Sequence, residues 1–289
     1  ALKKYLNKHD FDFIIDFRFR IKPIQELLIS RWVYNTKTIF TVHSSKIDSY
    51  MPNFSPLTRI MYGKVFKNVA ITKAMQQLIE EKHHLKNVST IYNSIDIDNI
   101  LAKSQEEVEL DFEYIIGVGQ FDTNVKQFDK LIEAYAKSKL SKQEVALVIL
   151  GEGQLHDELI SVAKTFNVEH LVHLLGFKNN PFKYIKSAKF FVLSSELEGL
   201  PMVLLEALAC GTPVVSFNCP TGPKEVITHG ENGLLIEHQN IEALAQGINT
   251  MMLDTELYKA CKTNAFKTVQ KFSLETIGKQ WLDLMNYKN

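Results

Sequence analysis

Glu198 and Glu206 stand eight positions apart in Ser194-Ser-Glu-Leu-Glu198-Gly-Leu-Pro201-Met-Val-Leu-Leu-Glu206-Ala-Leu-Ala-Cys-Gly211. A carboxylate accepts hydrogen bonds from vicinal hydroxyls, so two on one short element suit a ribose and a second sugar. The blander reading is a pair of solvated surface glutamates, the ordinary fate of Glu; the whole string weighs against it. Pro201 suits the first turn of a helix and Gly211 the position just past its end. Backbone amides between Gly199 and Met202 would then lie at a positive helix terminus, which favours phosphate or sugar hydroxyls. A second cluster is Gly117-Val-Gly119-Gln120, followed by Lys126. Its glycines permit close backbone approach, and Lys126 can meet a phosphate as a point charge. Alone, this cluster reads as readily as a tight turn with a surface lysine. Nine histidines without H-E-x-x-H and three cysteines without C-x-x-C predict neither a metal site nor a disulfide framework.

These residues need strand ends and helix starts to position them. In the second half, apolar runs predict strands at 114–118, 145–150, 171–175, 190–193, 213–216 and 233–236, with helical patterns between them. In the first half, strands are expected at 11–17, 37–42, 68–72 and 88–92, with helical spacing over 24–34. Such alternation predicts α/β architecture with parallel sheets, whose ligands bind beyond the carboxyl ends of the strands. The Glu198 and Lys126 segments each follow a predicted strand.

The 289 residues suit two domains, and the halves differ. Residues 1–95 hold 15 Lys+Arg against 7 Asp+Glu, and the remainder 18 against 26. Only Gly63 of the 13 glycines lies within the first 116 residues. The overall charge balance argues against a globally basic nucleic-acid binder, and no apolar run reaches the roughly 18 residues that span a bilayer.

In its full context the Glu198–Glu206 string resembles the second domain of the retaining nucleotide-sugar glycosyltransferases with the GT-B fold. These are the large E-x7-E family, the group 1 glycosyltransferases, which includes bacterial mannosyl-, glucosyl- and N-acetylhexosaminyl-transferases. The resemblance covers residues 112–272. It rests on the Lys126 turn, Leu147-Val-Ile-Leu-Gly-Glu-Gly153, Leu175-Gly-Phe177, the two-glutamate string, and Gly230-Glu-Asn-Gly-Leu-Leu-Ile236. Earlier, Thr41-Val-His43 and Ile91-Tyr-Asn93-Ser-Ile-Asp96 resemble the later part of the family's first domain. The resemblance implies an α/β chain of GT-B type, with two Rossmann-like domains, parallel sheets and an incomplete first domain. It implies a partial acceptor-side domain at 1–95, a linker at 96–111, a nucleotide-sugar-binding domain at 112–272, and a C-terminal helix at 273–289 returning toward the first domain.

The same resemblance implies roles. Glu206 would bind the nucleotide ribose and Glu198 would orient the donor sugar. Lys126 would neutralise the diphosphate, and His43 would act near the donor sugar. Gly199, Leu200 and Pro201 would line the sugar and phosphate pocket, with Gly119 and Gln120 in the facing turn. Backbone at Gly176, Phe177 and Lys178 would meet the base. Pro220-Thr-Gly-Pro223 resembles members that use UDP-N-acetylhexosamines or UDP-hexoses; read alone, it is a turn made rigid by its prolines and glycine. The expected reaction moves a hexose or N-acetylhexosamine from a UDP-linked donor, with retention, to a glycan or lipid-linked glycan in cell-surface polysaccharide synthesis. It would need neither cofactor nor metal.

Two departures accompany this likeness. Gln120 stands where members carry Arg, and no glycine precedes Gly63, although the family's first domain opens on a strand and a glycine-rich loop. The front of a two-domain member is therefore expected to be absent, the chain being either a fragment or a member with a genuinely shortened first domain, and it is expected to bind nucleotide while transferring sugar poorly or not at all. Two rivals are a non-catalytic nucleotide-sugar-binding subunit or inactive fragment, and a glycoside hydrolase using Glu198 and Glu206 as its carboxylate pair. The hydrolase is disfavoured because Glu206 falls within a helix. The basic stretch of Arg18, Arg20, Lys22 and Arg31 near Trp32 suits an acceptor or an anionic membrane surface, or equally a solvated face, whereas Phe17 and Phe19 are expected in the core. The expected location is the cytoplasm, at the inner face of the plasma membrane.

Overall fold

A computed structural model describes residues 2–286. The chain forms two compact units, residues 1–93 with 277–289, and residues 94–276. The first carries four parallel strands in sequential order: β1 (Phe13–Asp16), β2 (Lys37–Val42), β3 (Lys67–Ala70) and β4 (Val88–Thr90). Helices Ser55–Tyr62 and Lys73–His83 fall in its crossovers, and Thr72 starts the second by accepting a hydrogen bond from the Met75 amide. Ile39, Val69 and Ile91 form a core cluster with Ile277 of the helix Leu274–Leu284, and Trp281 packs against it. Residues 287–289 of the expected C-terminal segment, and residue 1 of the expected first domain, lie outside the described residues.

The helical spacing at 24–34 becomes two pieces, an α-helix over Pro23–Leu28 continued by a π-helical turn over Ile29–Val33. Two expectations fail just before it. Arg20, expected at an acceptor or lipid face, has a side chain with 0% exposure. Its guanidinium donates to the carbonyls of Tyr50 (3.1 Å), Thr41 (2.9 Å) and Arg18 (3.1 Å) and lies over the Phe40 ring. Buried carbonyls and Asp16, 3.8 Å away, replace the water a cation needs. Phe17 and Phe19, expected in the core, are 55% and 63% exposed, because β1 ends at Asp16 and strand alternation no longer sets their facing. Arg18 is committed to Asp16 (2.7 Å) and Glu26 (3.0 Å), leaving Lys22 exposed.

The second unit carries six parallel strands: β5 (Tyr114–Val118), β6 (Ala146–Leu150), β7 (Val172–Leu174), β8 (Phe191–Leu193), β9 (Val214–Phe217) and β10 (Gly233–Ile236). Their order is β10-β9-β8-β5-β6-β7. Every residue of β6, β8 and β9 is buried, as expected of strands with helices on both faces of a parallel sheet. The segment expected as a linker forms the helix Ile97–Ser104, and this unit includes it: Asn180 donates to the Lys103 carbonyl at 2.9 Å.

Candidate active site

The strand order places the chemistry. From β5 the chain builds outward through β6 to β7, then crosses to the other side of β5 for β8, β9 and β10. The crevice at the carboxyl ends of β5 and β8 is thus the topological switch point, where open parallel sheets bind ligands. The Lys126 turn follows β5 and the Glu198 loop follows β8.

There Lys126 Nζ meets Glu198 Oε1 at 2.7 Å, with the carboxylate side chain 10% exposed and the lysine 26%. The family resemblance implies phosphate for one residue and sugar for the other; the fold makes them a single ion pair. The lysine stem lies over Gly119, where an added Cβ would come within 3.2 Å of Lys126 Cγ. Gln120 beside it is exposed.

Neighbouring loops brace this pair. Ser194 Oγ donates to the Lys126 carbonyl at 2.8 Å, and the Glu196 amide donates to the Val125 carbonyl at 2.8 Å. On the other side, Thr221 Oγ1 donates to the Glu198 carbonyl. Gly222 (φ +95) approaches so closely that a Cβ would fall 2.4 Å from the Gly199 carbonyl oxygen. The turn at Pro220–Pro223 is therefore rigid and also a brace for the glutamate loop. Gly151 (φ +142) plays the corresponding part after β6, since a Cβ there would fall 1.9 Å from the Gly119 oxygen. Sequence reasoning misses Ser194 and Thr221 as site residues; a hydroxyl shortly after a strand is the only signal they offer.

Glu206 lies within the helix Met202–Ala209, which starts at Pro201 as its cap residue rather than inside the first turn, with no side-chain cap. Burial pushes the Glu206 carboxyl above its ordinary value, so it is not a solvated surface group. Leu200 is buried beneath the loop. Gly176, Phe177 and Lys178 follow β7; the Gly176 carbonyl accepts from the Gly151 amide at 3.0 Å, Phe177 is 62% exposed, and Lys178 faces the Tyr184 ring. Burial pushes the Cys210 and Cys219 thiols up to about 12, which removes them as nucleophiles at neutral pH. Among the described residues no group of three or more His, Cys, Asp and Glu is placed to hold a metal ion.

His43 belongs to the other unit, at the end of β2. Its Nε2 is 2.9 Å from Thr41 Oγ1, and burial together with the Arg20 charge holds its pKa below the usual value, so the ring is neutral at pH 7. Arg18 and Lys22 also lie in that unit.

Residues 98–268 match the family model for glycosyl transferases group 1. A Campylobacter jejuni protein, N-acetylgalactosamine-N,N'-diacetylbacillosaminyl-diphospho-undecaprenol 4-alpha-N-acetylgalactosaminyltransferase, is 34% identical over 277 residues, covering 92% of this chain and 74% of its own length. The poly(ribitol-phosphate) alpha-N-acetylglucosaminyltransferase of Staphylococcus aureus is 30% identical over 228 residues, 78% of this chain and 44% of its own length. Among solved structures, Anabaena HepE in complex with UDP superposes with a TM-score of 0.83 at 20% identity, over 99% of this chain and 81% of that one. The likeness to HepE is one of fold: the α/β architecture with two parallel sheets is of GT-B type.

Proposed function

The chain belongs to the group 1 glycosyl transferases, and on that basis we propose that it moves a hexose or N-acetylhexosamine from a UDP-linked donor to a hydroxyl of a glycan or lipid-linked glycan. The observation that carries this reading is the Lys126–Glu198 pair at the sheet's switch point. In the proposed reaction the bond between the anomeric carbon and the diphosphate oxygen breaks and the acceptor oxygen bonds that carbon. The hydroxyl proton passes to the departing phosphate. Attack on the face the diphosphate leaves retains configuration. Lys126 and the amides at the start of the helix Met202–Ala209 stabilise the charge that develops on the leaving group. Glu198, oriented by the same lysine, holds sugar hydroxyls, and Glu206 holds the ribose. A lipid-linked acceptor is supported by the C. jejuni relative, whose name specifies a diphospho-undecaprenol substrate. A part in surface polysaccharide synthesis is supported by the S. aureus relative, whose name specifies poly(ribitol-phosphate).

Calorimetric titration with UDP, followed by transfer from a panel of UDP-sugars to a lipid-linked glycan, tests the reading. Binding with transfer supports it, binding without transfer favours a nucleotide-sugar-binding subunit, and release of sugar without any nucleotide favours a hydrolase. Because the counter-charge on the diphosphate is assigned to Lys126, EDTA should leave turnover unchanged; an absolute requirement for an added divalent ion would contradict the assignment.

The proposed site of action is the cytoplasmic face of the plasma membrane. Among the described residues no helix is long and apolar enough to cross a membrane. In the first unit, however, Ile21, Ile24 and Trp32 are 68%, 79% and 69% exposed around the exposed Lys22, a composition suited to an anionic interface. Lys22→Ala should weaken binding to phosphatidylserine vesicles about fivefold, near the ~1 kcal/mol of one basic residue at such a surface. Equal binding of the parent chain to neutral and anionic vesicles would refute this contact.

A further inference from the structure

Two residues behind the site hold a backbone conformation that glycine takes freely and glutamine does not. Gln127 has φ 49 and Gln239 has φ 65. Gln127 caps the helix Phe128–Lys137, and Gln239 stands just before the cap of the helix Ile241–Leu253, which packs beside it. Glycine would relax the backbone at either position, so what glutamine adds is its side chain. Strain of this kind persists where surrounding contacts over-determine it.

The two side chains, 112 positions apart, meet. They form a reciprocal amide pair: Gln127 Nε2 donates to Gln239 Oε1 (3.1 Å) and Gln239 Nε2 donates to Gln127 Oε1 (2.7 Å). Lys130 also bonds Gln239 Oε1. Gln127 is only 7% exposed, so these bonds are little challenged by water. The Ser194 hydroxyl holds the Lys126 carbonyl. The peptide carrying Lys126 is therefore gripped by the loop after β8, and its neighbour Gln127 is held by an amide reaching across from the loop after β10.

We propose that Gln127 and Gln239 are positioning residues for the transfer. Their amide pair, with Lys130, latches the loop after β10 to the turn after β5 and so keeps Lys126 on Glu198. The catalytic consequence rests on the reading of Lys126 as the counter-charge of the diphosphate; the latch itself is a statement about geometry and is testable without substrate.

Gln239→Gly is the informative variant. Glycine suits φ 65, so the fold is kept, and the change removes the amide without altering the Lys126 turn. In residue-resolved hydrogen exchange on the free chain, the Glu196 amide, which bonds the Val125 carbonyl, should exchange about tenfold faster, the factor that one net hydrogen bond supplies. Amides within β6 should be unchanged. Unaltered exchange at Glu196 overturns the latch whatever the activity. In the transfer assay, turnover should fall by a similar factor, with the KM for donor moving less and the thermal midpoint held. Faster exchange with full turnover would overturn the positioning role. A parent chain that neither binds UDP nor transfers sugar would sink the transferase reading, and the exchange result would still decide the latch.

Discussion

Lys126→Met should cut turnover by roughly a hundred- to thousand-fold, the cost of removing one pre-organised group from developing negative charge, and leave a folded chain. Methionine is chosen because the lysine stem packs over Gly119, and an unbranched apolar side chain keeps that cover. The loss has two sources. In the proposed reaction the diphosphate would forfeit its cation, and Glu198, 10% exposed, becomes a nearly buried carboxylate without its partner, which would disturb the group proposed to orient the sugar. Since the two residues form one unit, adding Glu198→Gln to Lys126→Met should cost far less than the product of the two single effects. Glu198→Ala alone should lower turnover more than UDP affinity. Steady-state rates on these chains, with thermal melts as the folding control, decide the matter; a Lys126→Met chain within about threefold of the parent, far short of the loss expected for such a group, would remove Lys126 from the mechanism.

Glu206→Ala should weaken UDP binding by about 1.5–3 kcal/mol, the contribution of a charge-assisted hydrogen bond. Glu206→Gln, which keeps a neutral acceptor, should fall between. Stability is expected to move the other way for the Gln variant. Burial raises the folded-state pKa of this carboxyl above the ordinary 4.5, so the folded state holds the proton more tightly than the unfolded chain does. The stabilisation this brings is fully present below the unfolded value and is lost as pH rises through the folded one. At pH 7 the ionised carboxylate therefore costs stability, and a neutral amide does not. The thermal midpoint of Glu206→Gln should exceed that of the parent at pH 7, with the gap closing as pH approaches 4.5. The proposed ribose contact would give a function to a residue that is unfavourable for folding. Unchanged UDP affinity in a folded Glu206→Ala chain would withdraw the ribose assignment.

The strands, and the residues just beyond their ends, are legible from the order of amino acids alone. Strands buried on both faces must be continuous apolar runs, and such runs are visible one residue at a time; β5 and β10 begin and end where their runs do, and β2 where its β-branched stretch does. Because ligand groups in parallel sheets sit just beyond strand ends, the segments carrying Lys126 and Glu198 can be picked out with them, whereas Glu206, inside a helix, stands out only through the resemblance of the two-glutamate string to the family's motif. Which loops touch is settled by the three-dimensional arrangement of the sheet. Lys126 and Glu198 pair across 72 positions, and Gln127 and Gln239 across 112, because β8 crosses back to lie beside β5, and periodicity carries no information about strand order. Arg20 is deceptive for a related reason. Its guanidinium is satisfied by the carbonyls of Arg18, Thr41 and Tyr50, backbone atoms whose direction no side-chain pattern records, so a residue that reads as surface charge is held inside the first unit.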